Sequence, residues 1–345
     1  MAISSVNSWK IWGQDGLVSD LQRSFPGSIR HSYVISGPDF SGKTTFALAF
    51  AKALLCTQPP NAGEFCDVCR ACRTTGRGLH PDMAVFDLAW QSEMTKTERK
   101  GQTLNIDTVR QVSRSVSMRP AEGRWRVVIV DDVETMQETA QEAFLKTLEE
   151  PPPYTVMLLL TTDASTLLPT ILSRLTQLHM GSVATDDVSS ALTDSGVAEQ
   201  TAIEISRLAQ GLVGWALRAV ADPAMIEQRR TETQRAMEWI ASTTYDRMVT
   251  AFRFADRFAA DKEALFDDLR VVMLGWRSIM LHRLNVTDTH LLFDSKHNVF
   301  SRSLSSQECA VAIESVRQCI FDLESNVRPR LALQSMVSRW PDLPS

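Results

Sequence analysis

Gly37-Pro38-Asp39-Phe40-Ser41-Gly42-Lys43-Thr44 carries the complete G-x-x-x-x-G-K-[ST] spacing, and this restricts the fold of the chain more than any other stretch. The apolar run Tyr33-Val34-Ile35 precedes it, and a helical pattern from Thr44 to Leu55 follows. In that strand–turn–helix setting the glycines let backbone N–H groups face inward around phosphate oxygens. Lys43 then supplies a point charge to the β- and γ-phosphates, and the Thr44 hydroxyl supplies a ligand for Mg²⁺. Gly37, Gly42, Lys43, Thr44 and the adjacent Thr45 are therefore candidate contacts for ATP with Mg²⁺.

A phosphate loop of this kind needs a sheet behind it. Val127-Val128-Ile129-Val130 and Val156 to Leu160 are continuous apolar runs, as expected of strands buried on both faces. Met83 to Leu88 reads as a further strand. Helical patterns cover Ile106 to Met118, ending before Pro120, and Glu138 to Glu150, stopped by Pro151-Pro152-Pro153. Strands alternating with helices predict a parallel sheet with helices on both faces. Asp131 closes the Val127–Val130 run and is placed to orient the Mg²⁺ shell. The next position usually carries a glutamate that polarises attacking water. Here it is Asp132, one methylene shorter, which sets its carboxylate back from base work.

Beyond about Gly181 no strand pattern remains. Ser190 to Asp222, Ala224 to Thr243, the face Leu265-Leu269-Val272-Trp276-Ile279, Gln307 to Glu324 and Arg330 to Trp340 are helical in period, and Asn285 to Ser306 reads as a loop. With 345 residues, two or three domains are expected. The net charge of −5 excludes a polycation that coats DNA by charge alone. No apolar run approaches the roughly 18 residues of a membrane span. The opening Met1 to Trp12 lacks a basic-then-apolar signal, so a cytoplasmic protein with no membrane partner is expected.

In a reducing compartment clustered cysteines point to metal rather than disulfides. Cys56-x9-Cys66-x2-Cys69-x2-Cys72 offers four thiolates with the knuckle spacing of a closed, structural zinc site. Cys309 and Cys319 fall in a helical pattern and read as small core residues. His80 is an alternative ligand or a hydrogen-bonded histidine at a strand entry. The cysteine stretch has few lysines or aromatics with which to grip a nucleic-acid backbone. Arg110 and Arg114 share one helix face, which is either a solvated face, the commoner fate of such a pair, or a contact for DNA phosphates in an assembly.

Taken in order, Trp12-Gly13-Gln14, His31-Ser32-Tyr33, the phosphate loop, the four cysteines, His80-Pro81-Asp82, Ile106-Asp107-Thr108-Val109-Arg110, Lys146-Thr147-Leu148-Glu149-Glu150-Pro151-Pro152, Thr161-Thr162-Asp163 and Ser173-Arg174 closely resemble the bacterial DNA polymerase III clamp-loader subunits of the AAA+ class. The resemblance is strong over about residues 7 to 180 and weaker at Asn326 to Leu333. It implies an AAA+ nucleotide-binding domain over 1–182 with a zinc insert at 56–72, a helical lid over 183–243 and an all-α collar over 244–345. It also implies Thr161 as a further nucleotide contact, and Arg174 as an arginine finger reaching a neighbour's γ-phosphate.

The partners so implied are the gamma/tau motor and delta subunits, a sliding clamp, and primed DNA within the assembled ring. The family's Ser-Arg-Cys reads Ser173-Arg174-Leu175 here. The lid arginine of the motor falls at Gly214, within Gly211-Leu212-Val213-Gly214-Trp215-Ala216-Leu217. These departures, with Asp132, fit a non-catalytic stator of the assembly; the intact phosphate loop fits an ATP-hydrolysing gamma/tau-type motor, which stays as the alternative.

Overall fold

The computed structural model describes residues 7–95, 103–284 and 304–342. Most of the loop expected over Asn285 to Ser306 lies outside these residues. The chain divides into two compact units. The first runs up to Ala191 and takes in Gly211–Trp215; the second holds Leu192–Gln210 and the chain from Ala216 onward.

In the first unit α1 (Asp15–Ser24) leads to β1 (Ser32–Ser36), the phosphate loop and α2 (Lys43–Leu55). Then come α3 (Arg70–Gly76), β2 (Met83–Phe86), α4 (Leu88–Thr95), α5 (Ile106–Ser117), β3 (Arg126–Val130), α6 (Glu138–Glu149), β4 (Thr155–Thr161), the one-turn α7 (Pro169–Leu172) and β5 (Thr176–His179). The strands form one sheet in the order β2-β3-β4-β1-β5, and every pairing is parallel.

Strand periodicity explains why the apolar runs are continuous. Tyr33, Ile35, Val127, Ile129, Val156, Leu158 and Leu160 pack on one face with Phe46 and Phe50 of α2. Val34, Val128, Val130, Met157 and Leu159 pack on the other with Val109 and Val112 of α5 and Phe144 and Leu148 of α6. Successive side chains alternate faces, so a sheet covered on both sides has no polar face to show. The expected α/β fold with helices on both faces is the observed one.

A polar knot ties the open edge of this sheet. Burial works against the Asp82 charge, but the N–H groups of Ala121, Glu122 and Gly123 outweigh it and hold the carboxyl below the usual range. Buried Arg126 donates to the Pro81 carbonyl at 2.6 Å and to Ser115 Oγ at 2.7 Å. His80 accepts the Asp82 N–H on Nδ1 at 3.0 Å. The His80-Pro81-Asp82 segment is thus a structural joint at the entry to β2.

The second unit is helical among its described residues. It contains α8 (Glu199–Ala209), the long α9 (Pro223–Ala241), α10 (Thr244–Arg257), α11 (Lys262–Arg283), α12 (Ser306–Glu324) and α13 (Pro329–Val337). Trp239, Trp276 and Trp340 meet in its core at ring separations of 5.2 and 5.5 Å. Fully buried Arg247 lies against them, donating to the carbonyls of Ile240 and Pro341 at 3.1 and 2.7 Å. Cys309 and Cys319 are buried in the same core, as expected of small apolar residues. Among the described residues no helix is long and apolar enough to cross a membrane.

Candidate functional site

The phosphate loop sits between the carboxyl end of β1 and the amino end of α2, where a parallel sheet leaves a crevice for ligands. Its conformation depends on its glycines. Gly42 caps α2 with φ +94°, in the left-handed region. A Cβ on Gly37 would collide with the Met180 carbonyl. The Gly37 N–H donates to the Thr161 carbonyl at 3.1 Å, which fixes the loop to the end of β4.

Lys43 is buried, and its Nζ donates to the Gly37 and Pro38 carbonyls at 2.8 and 3.1 Å. The Ser41 hydroxyl is buried with no hydrogen-bond partner among the described residues, an orphan that a phosphate oxygen would satisfy. Thr44 Oγ1 donates to Asp131 Oδ2 at 3.2 Å. Burial chiefly, with the neighbouring Asp132 charge, holds the Asp131 carboxyl above the usual range, and a bound cation would offset both effects. Loop, lysine, hydroxyl and carboxylate therefore fit ATP with Mg²⁺, and Thr44 with Asp131 would hold the metal.

Thr161 and Asp132 are held by local contacts. Thr161 is buried, and its hydroxyl donates to the Asp163 carbonyl at 3.0 Å and accepts the Asp163 N–H, so it closes its own turn. Asp132 has φ +57° and accepts the Leu88 N–H at 3.4 Å. Burial first, then Glu134, Asp87 and Asp39, raise its carboxyl. Thr45 is exposed on the first turn of α2.

Position 214 has no space for a side chain. The Gly214 N–H donates to the Phe40 carbonyl of the phosphate loop at 2.9 Å. A Cβ there would lie 2.7 Å from that oxygen and 3.3 Å from the Phe40 Cα. Backbone thus meets backbone where the 211–217 stretch touches the phosphate loop. No sequence pattern announces this contact, because Phe40 and Gly214 lie far apart in the chain.

Arg174 follows α7 and is partly exposed. Its Nη2 donates to Glu149 Oε1 at 2.7 Å and its Nη1 to the Thr170 carbonyl at 2.7 Å. The Glu149 partner went unread in the sequence except as a letter of a motif. Of the DNA candidates, Arg110 pairs with Asp107 at 2.8 Å, while Arg114 is exposed.

The four cysteines meet as their spacing predicts. Their sulfurs all lie within 4.8 Å of one another, with Cys56–Cys66 at 3.7 Å and Cys56–Cys69 and Cys66–Cys72 at 4.0 Å. Tetrahedral zinc with bonds of about 2.3 Å requires sulfurs about 3.8 Å apart, so the donor set fits. The Cys69 and Cys72 N–H groups point at Cys66 and Cys69 sulfurs, each at 3.3 Å, the knuckle arrangement that stabilises thiolates. Burial opposes ionisation of Cys69, but the Cys72 N–H and Thr57 bring its thiol down to about 6. His80 is not among the four ligands.

Residues 13–184, about half of the chain, match the family described as "DNA polymerase III, delta subunit". The chain is similar to DNA polymerase III subunit tau of Salmonella typhimurium, 25% identical over 343 residues, which are 96% of this chain and 50% of that one. It is similar to subunit tau of Escherichia coli, 33% over 177 residues (51% and 26%), and to subunit delta' of Pseudomonas aeruginosa, 37% over 147 residues (43% and 42%). The chain thus covers half or less of each of these relatives. Fold and site define an AAA+ domain: a parallel five-stranded sheet with a phosphate loop after β1 and a carboxylate at the end of β3. Within that class, the chain belongs to the DNA polymerase III clamp-loader subunit family.

Proposed function

We propose that this chain is the delta prime subunit of the DNA polymerase III clamp loader. It acts as a stator that lends Arg174 to ATP held by a neighbouring gamma/tau motor while the assembly sets a sliding clamp on primed DNA in the cytoplasm. The observation that carries this reading is the backbone contact between Gly214 and Phe40, which leaves no room at position 214 for a charge-sensing side chain. A phosphate loop that binds ATP without that charge, beside a shortened Asp132, favours occupancy over turnover.

Arg174 supports the other half of the reading, because its guanidinium remains accessible on the surface. In this arrangement residues 183–243 serve as lid and 244–345 as the oligomerising collar. The zinc knuckle stabilises the insert, and Arg114 is the better placed residue for DNA phosphate. A gamma/tau-type motor is the second reading, and the intact phosphate loop with its orphan Ser41 hydroxyl favours it.

Mixing the chain with the motor and delta subunits tests the proposal. A single hetero-oligomer by mass measurement is expected, in which omission of this chain leaves one motor site without turnover. Failure to enter any such complex would refute the stator reading. Substitution of this chain for the motor, with turnover restored, would favour the alternative.

A further inference from the structure

The partners of Arg174 come from two separate elements. α7 is a single turn; backbone N–H groups reach its Pro169, Ile171 and Leu172 carbonyls, and the Thr170 carbonyl accepts from the Ser173 hydroxyl at 3.0 Å and from the Arg174 guanidinium. Nη1 also lies 3.3 Å from Ser173 Oγ. The third acceptor, Glu149, is the final residue of α6. The helix ends there, ahead of Pro151-Pro152, and its Phe144 and Leu148 are buried against the sheet. The carboxylate is therefore carried on a fixed element, while both charged groups stay in reach of solvent.

We propose that Glu149 is a positioning residue for the Arg174 finger, holding the guanidinium fork so that its remaining N–H donors are available to a triphosphate brought by a neighbouring chain. This rests on the reading of Arg174 as a trans finger. A long arginine free to rotate must be immobilised as it engages, whereas a planar fork already held by Glu149 and Thr170 has lost that freedom beforehand. Stabilisation of charge developing on phosphate depends steeply on donor placement, so the gain appears in the chemical step. An exposed ion pair contributes little to fold stability, which separates this role from a structural one.

The test uses the reconstituted loader with ATP·Mg²⁺, comparing wild type, Glu149→Ala, Glu149→Gln and Arg174→Ala after each complex has shown wild-type mass. Glu149→Ala is expected to lower kcat at the affected site about tenfold with KM for ATP unchanged. Glu149→Gln keeps an acceptor oxygen and is expected to recover at least half of the loss. If Arg174→Ala leaves turnover intact, the finger reading itself fails. If Arg174→Ala collapses turnover but Glu149→Ala matches or exceeds wild type, or acts through KM, or is not rescued by glutamine, the finger stands and the positioning role is overturned.

Discussion

Arg174→Ala is expected to give a chain that folds, assembles and fails its neighbour, with ATP turnover at the affected motor site falling by about 10³-fold or more. The fall should be in kcat, because the lost guanidinium acts on charge that develops at the γ-phosphate in the transition state. Little stability should be lost. The side chain is partly exposed, and its ion pair with Glu149 is of the surface kind. Arg174→Lys should recover little. A lysine carries a point charge and cannot hold Thr170 and Glu149 in a fork while offering further donors outward. Single-turnover hydrolysis in the reconstituted loader reads this directly, and an unchanged rate in Arg174→Ala would remove the finger assignment.

The second large effect concerns the cysteine cluster. Stripping metal, or replacing the buried Cys72 by serine, is expected to open the insert and lower the melting temperature of the first unit. Structural zinc supplies about 10–16 kcal/mol in small sites at neutral pH. The loss should spread along visible contacts. Cys69 caps α3, its sulfur accepting the Cys72 N–H. Asp67, inside the knuckle, bridges Lys10 at 2.8 Å and Lys52 of α2 at 2.6 Å. The Trp9 indole donates to the Gly63 carbonyl at 2.7 Å and stacks on Phe50. Chelation should thus change tryptophan fluorescence as well as zinc content, and added zinc should restore both. Native protein prepared without chelator that contains no zinc and melts as Cys72→Ser does would contradict this.

Much of the first unit was legible because its signals are local. A phosphate loop, two knuckles and strands buried on both faces each declare themselves within a few residues. β5 did not, since three of its four positions are exposed and its sequence, Thr176-Gln177-Leu178-His179, has no apolar run. Nor did α3, whose start depends on a cysteine sulfur rather than on an apolar period. The stretch Ser190 to Asp222 looked like one helix by period. The structure breaks it at Gly196, Gln210 and Gly211, all with positive φ, because glycine at 196 and 211 admits a left-handed turn that periodicity does not register.

The site divides the same way. Thr44 and Asp131 meet across the loop and the strand end, while Lys43 turns onto the loop's own carbonyls. The Thr161 hydroxyl closes a turn with Asp163, a local bond that no motif shows. Glu149 beside Arg174, and Gly214 against Phe40, are products of tertiary packing between segments whose separation in sequence hides them.

The idle pocket and the trans finger are tested together by the ATP turnover of the isolated chain at saturating ATP·Mg²⁺. A stator with no charge at position 214 should hydrolyse at background, and Lys43→Ala should leave that rate where it was. Sustained turnover by the chain alone, abolished by Lys43→Ala, would mean that the pocket works for itself and that the trans account is wrong.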